Sequence, residues 1–204
     1  MPARFPRRLL GCCLISFLAL AGSGVLAAQS EGPTNYEDSA RDGWQLGLGL
    51  GAGRADLTCD GCVFDSRTGV SGFLSVARTV GKNTRLGVEG TVWKKEMSPG
   101  NDTWVYSVTP HLTQYLLRGS GLFLRGGLGL VGFHSESQAA TDIHGIGVGF
   151  SSRIGYHLGT GRLRIAPYIG LARSLGGVSA RADGDAGVDV TVTSVQFGLS
   201  VATP

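Results

Sequence analysis

Charge is what this chain has least of. Lys, Arg, Asp and Glu make up 16% of its 204 residues, too few to coat an ordinary solvated surface. It also lacks an apolar run of the roughly 20 residues that a membrane-spanning helix needs. The best candidate, 9–20, falls short of that length. Of its four cysteines, Cys59 and Cys62 form one CxxC with no second pair of ligands at matching spacing, which excludes a zinc ribbon. An excess of one charge sign is missing too. The formal +3 resides at the N-terminus, because setting Arg4, Arg7 and Arg8 aside leaves fifteen basic and fifteen acidic residues. A neutral remainder offers no basic face for nucleic acid.

What the chain does have is glycine, 34 residues of it, which suits strands and turns rather than helices. The three early arginines precede the apolar run and then small residues as far as Ala27 and Ala28. That order predicts a secretory signal peptide over 1–28, cut after Ala27 or Ala28. Residues 29–43 are polar, with Gly32, Pro33 and Asn35, and are expected to be a flexible periplasmic lead-in.

From 44 to 204 the pattern changes. In Trp44-Gln45-Leu46-Gly47-Leu48-Gly49-Leu50-Gly51-Ala52-Gly53 every large apolar group falls on one face of a strand, and the other face is almost bare backbone. A bare face implies a crowded or tightly curved surrounding. Eight such segments follow one another, at 44–53, 68–80, 84–95, 103–117, 122–133, 143–157, 162–174 and 190–201. Tight turns (Gly81-Lys82-Asn83, Arg118-Gly119-Ser120-Gly121, Leu158-Gly159-Thr160-Gly161) alternate with longer polar loops. Short turns at one rim and long loops at the other predict an all-β fold, an eight-stranded antiparallel up-and-down transmembrane β-barrel. Trp44 and Tyr156 fall at the short-turn rim and Trp104 and Tyr106 at the long-loop rim, the places for an aromatic girdle. The competing fold is a soluble lipocalin-type barrel, apolar inside. It would need a charged exterior, whereas the second face carries mostly Gly, Ser, Thr and Ala with scattered Arg. Pro110 and Pro167 lack a backbone donor in mid-strand, so a bulge is expected at each.

By parity Arg85, Glu89, His111, Arg125, Arg153, Arg164, Tyr168 and Gln196 point inward. One carboxylate among several arginines reads either as a polar plug that staples the lumen or as a gate or small-anion site. Cys59 and Cys62, in the first long loop of an exported chain, are expected to form a disulfide. No metal site and no cofactor is expected. Phe133-His134-Ser135-Glu136 has hydrolase residue types, but adjacent strand residues point to opposite faces, so no catalytic residues are assigned. The loop aspartates, among them Asp60, Asp65, Asp183 and Asp185, serve turn chemistry or bind divalent cations that bridge lipopolysaccharide.

With eight strands, alternating loops and the run Ala166-Pro167-Tyr168-Ile169-Gly170-Leu171, the chain resembles the small eight-stranded outer-membrane β-barrel proteins, the OmpA-transmembrane, OmpX and OmpW-like group. That resemblance implies a monomer in the outer membrane, in contact with lipid and lipopolysaccharide, and delivered by the barrel assembly machinery. The group's final strand usually ends in an aromatic residue. This one carries Phe197 but runs on through Ser200 and Val201. The group holds anchors, adhesins, small channels and a few lipid A-modifying enzymes, so the fold does not choose among functions. The expected role is non-enzymatic, structural or surface interaction through four outer loops. A narrow channel or anion binder, and a lipid A-modifying enzyme, stand as the alternatives.

Overall fold

The period-two segments are strands of one sheet that closes on itself. The computed structural model describes residues 43–59, 62–63, 66–98, 101–116, 121–136, 143–158, 163–182 and 188–203. The expected signal peptide and 29–42 of the lead-in lie outside the described residues. In chain order the strands are β1 (Trp44–Cys59), β2 (Cys62–Val63), β3 (Arg67–Gly81), β4 (Thr84–Ser98) and β5 (Asn101–Tyr115). They continue as β6 (Leu122–Ser135), β7 (Ile143–Tyr156), β8 (Arg164–Ser174), β9 (Val178–Ala182) and β10 (Val188–Ala202). Pairing is antiparallel throughout, and β1 bonds β10 from Gly47↔Ala202 to Cys59↔Val190, which shuts the ring. β2 is a short return beside the end of β1. β9 resumes β8 beyond Leu175-Gly176-Gly177, so the wall has eight strands. None of the described residues is helical.

Register fixes the bore. Partners followed once round from Thr84, through Gln114, Leu124, Ile154, Ile169, Phe197, Ala52 and Val70, return to β4 at Lys94, ten residues further along. That stagger tilts eight strands by roughly 40° and leaves an interior only wide enough for side chains.

The two faces are segregated as a membrane requires. Leu46, Leu48, Leu50, Leu74, Leu128, Ile169 and Leu199 are each more than half exposed on the outside, while Glu89, His111 and Arg153 are buried within. A soluble barrel would reverse both sets, so the lipocalin-type arrangement is excluded. An apolar exterior this continuous belongs in hydrocarbon. Trp44 and Tyr156 lie exposed near the short-turn rim, and Trp104 and Tyr106 lie half-buried towards the other. Arg78 sits over the Trp44 ring and Lys94 over Trp104, which gives these two outward cations a partner at the border of the band. Tyr106 lies across Gly132 of the next strand, where an added Cβ would meet its ring at 2.6 Å.

The bare face of the opening stretch is crowded, not empty. A Cβ on Gly49 would stand 2.0 Å from the Phe73 ring, and one on Gly53 would stand 3.0 Å from Trp93. Gly49 and Gly53 are the space into which these inward aromatics fit.

Two expectations need correcting. Neither proline carries a bulge. Past Pro110 the β4 register is continuous, and on the β6 side pairing skips from Val108↔Leu130 to His111↔Gly127 without a shift. Pro167 keeps its register with β10, and β7 stops pairing one residue short of it, at Gly155↔Tyr168. In each case the missing donor opens the ladder locally and no residue is inserted. Register shifts instead fall between Thr79 and Gly81, between Glu96 and Ser98, and at Leu175-Gly176-Gly177, where Gly176 has φ of 100°. The strands also run further towards the long loops than alternation suggested. β1 reaches Cys59, β4 reaches Ser98, and β9 adds a piece beyond the alternating segment 162–174.

Gly49→Ala should therefore force Phe73 out of its place and cost about 1–3 kcal/mol, read by urea unfolding of protein refolded into lipid vesicles. Pairing it with Phe73→Leu should recover most of the loss. An unchanged midpoint for the single variant would contradict this packing.

Candidate functional site

The lumen is built from alternate residues of all eight wall strands, and it is layered. At the short-turn end Arg85 donates to the Tyr115 hydroxyl at 3.3 Å and lies over its ring. Phe123 and His157 stack beside them, with ring centroids 4.8 Å apart. Arg164 and Gln45 are buried in the same region.

The middle layer holds the charge. Arg125 and Arg153 each donate through Nη1 to Oε2 of Glu89, and all three side chains are buried. Arg125 also donates from Nε to the Thr113 hydroxyl at 3.0 Å. The Arg153 guanidinium lies 3.5 Å from the Phe73 ring centroid and 4.7 Å from that of Tyr168, and those two rings meet edge to face. Both ion pairs start from Glu89 of β4, so they tie that strand to β6 and β7, with which it shares no ladder, while Arg125 and Arg153 face each other across the β6–β7 pair. His111 of β5 is buried among them.

Above this layer hydroxyls bond in pairs across the wall, Thr91 with Ser107 at 2.7 Å and Thr109 with Ser151 at 2.9 Å. Towards the long loops the interior turns apolar. Ala55, Trp93, Val105, Val131, Phe133, Val178, Val190 and Val192 form one buried cluster, and Trp93 donates from Nε1 to the Gly53 carbonyl at 2.9 Å.

All eight inward-pointing polar residues read from the sequence are buried: Arg85, Glu89, His111, Arg125, Arg153, Arg164, Tyr168 and Gln196. The structure gathers Glu89, Arg125, Arg153, His111 and Tyr168 into the middle. It sets Arg85 and Arg164 lower and Gln196 higher, where Gln196 and Trp93 both crowd Gly53. What sequence reading missed is the apolar plug and the aromatic walls. Parity carried the signal, since Trp93 shares the face of Glu89, Phe133 and Val131 that of Arg125, and Phe73 that of Ser71.

Outside the lumen, His134 bonds Glu136 at 3.1 Å on the outer face, while Ser135 bonds Thr103 at 3.1 Å on the inner. These two do not form a nucleophile and base. Cys59 and Cys62 are direct backbone partners across the β1–β2 return, and the Cys62 side chain lies outside the described residues. So do Asp60, Asp65, Asp183 and Asp185. Among the described residues no group of His, Cys, Asp or Glu is placed to hold a metal.

No protein-family model and no curated protein matches this chain. Solved structures do. Neisserial surface protein A is similar over 79% of this chain and 97% of its own, at 16% identity and a TM-score of 0.56. Ail, the attachment invasion locus protein of Yersinia pestis, is similar over 79% of this chain and 99% of its own, at 16% identity and a TM-score of 0.53. The chain thus has the fold of the small eight-stranded outer-membrane barrels.

Glu89 is the counter-charge for two buried arginines, so Glu89→Ala should destabilise the barrel by about 3–5 kcal/mol. Glu89→Gln should fall between it and the parent, because the amide oxygen still accepts. Urea unfolding in vesicles measures both, and a Glu89→Ala midpoint equal to the parent's would remove the staple from this account.

Proposed function

We propose that this is a non-enzymatic, monomeric outer-membrane protein whose barrel anchors four extracellular loops for a structural or surface-interaction role. The observation that carries the reading is the filled lumen. Trp93, Val131, Phe133, Val178 and Val192 close its long-loop end, and the Glu89 ion pairs bridge its middle. With the lumen occupied at these two levels among the described residues, interaction falls to the loops and to the wall that stands above the apolar band. The two similar structures are named for a surface protein and for an attachment protein, which favours the same reading. Lipid and lipopolysaccharide are the surrounding partners, and the barrel assembly machinery delivers the chain after its signal peptide is removed. The facing backbones of Cys59 and Cys62 support a disulfide that holds the tip of the first loop.

The rival is a narrow channel that uses the lumenal arginines. Planar bilayers containing the purified protein should show no unitary currents. Currents that disappear on Arg125→Ala or Arg164→Ala would overturn the sealed-lumen reading in favour of the channel. Alkylation should label Cys59 and Cys62 only after reduction, and labelling of the untreated protein would refute the disulfide.

A further inference from the structure

We propose that the middle of the lumen holds one small monovalent anion of the halide class, beside Arg125, Arg153 and His111. Both arginines direct their ion-pairing nitrogen to the same oxygen of Glu89. Two buried cations therefore meet one buried carboxylate, and one positive charge is left over. The other contacts of these arginines are neutral. Arg125 has the Thr113 hydroxyl and the Phe123 ring. Arg153 has the faces of Phe73 and Tyr168, and its Nε finds no acceptor. A charge left unbalanced at this depth is far costlier than one that is paired.

His111 points the same way. It is 2% exposed, and its ring makes no well-formed hydrogen bond, only a marginal one to the Thr109 backbone. It sits on β5 between Gly87 of β4 and Gly127 of β6, so it shares the space of Glu89 and Arg125. Whatever its tautomer, one ring nitrogen must donate. A single acceptor carrying one negative charge would satisfy the His111 N–H and the Arg153 Nε–H, and it would balance the excess. The charge left over sets the valence at one. The narrow bore, packed above by Trp93 and Val131 and below by Phe123 and Tyr115, sets the size. Such an ion is enclosed as the barrel closes and stays as a structural part of it. Its retention, though not its binding, rests on the sealed lumen.

The test is refolding of the full chain into vesicles in chloride, bromide or gluconate at one ionic strength. Urea midpoints should be higher in the halides by roughly 0.5–1 M and should saturate with halide concentration. Crystals grown in bromide should give an anomalous peak beside Arg153 and His111. Arg125→Met leaves Glu89 facing a single arginine, so this variant should lose the halide dependence. Equal midpoints in all three salts would overturn the proposal. So would a bromide peak without a stability shift, which would mark an adventitious ion only. Halide-dependent stability together with unitary currents would uphold the site and sink only the sealed lumen.

Discussion

Closure of the sheet is the constraint on which everything else here depends. In hydrocarbon no water is available to a free backbone N–H or carbonyl, so a spanning sheet must have no edge. The seam between β1 and β10 removes both edges at once, and Thr203 extends it, donating from its backbone to the Leu46 carbonyl while its hydroxyl accepts from Leu46. Once eight strands close with a stagger of ten residues, the bore is fixed, and with it the interior. Large outward groups face lipid, and inward groups must fill a narrow tube without leaving a charge alone.

That tube is filled in two different ways. The short-turn and middle layers use Arg, Glu, Tyr and Phe, so charge is compensated by ion pairs and by ring faces. The long-loop end uses valines, Phe133 and Trp93, a hydrophobic core like that of a soluble domain but lying inside the wall. The wall at this end rises beyond the apolar band, where bilayer no longer supports it from outside. An interior core there holds the extended strands together and gives the loops a firm base.

Much of this was legible in the sequence because strand parity is so strict. Rows such as Leu46, Leu48, Leu50 and Leu86, Val88, Val92 announce lipid, and the residues between them announce the lumen. The outer strand ends were harder to read. In 54–59 and 178–182 the alternation inverts, with Ala55, Leu57, Cys59 and Val178 turned into the interior core and Arg54, Asp56 and Thr58 outward above the membrane, so outward apolar rows no longer mark the strand. At Pro110 and Pro167 a lost donor opens one rung of the ladder without inserting a residue, so a proline in a strand does not by itself imply a bulge. The real irregularity came at Gly176, where positive φ and two neighbouring residues let β8 restart as β9. The partnership of Glu89 with both Arg125 and Arg153 was readable as a shortage of acid. Which arginines it would choose depends on register across β4, β5, β6 and β7, and composition does not contain that. Trp93 stands on the same inward row as Glu89, where polar residue types alone do not mark it.

The claim beneath all the others is that leucines face lipid and arginines face inward in a closed barrel. The mobility in a dodecyl sulfate gel of the protein in the outer-membrane fraction, boiled against unboiled, tests it most directly. A closed barrel resists the detergent, so the unboiled protein should migrate faster and convert to the slower band on heating. Recovery as a soluble periplasmic protein with a single band would contradict the account, for the exposed leucines would then have to lie inside.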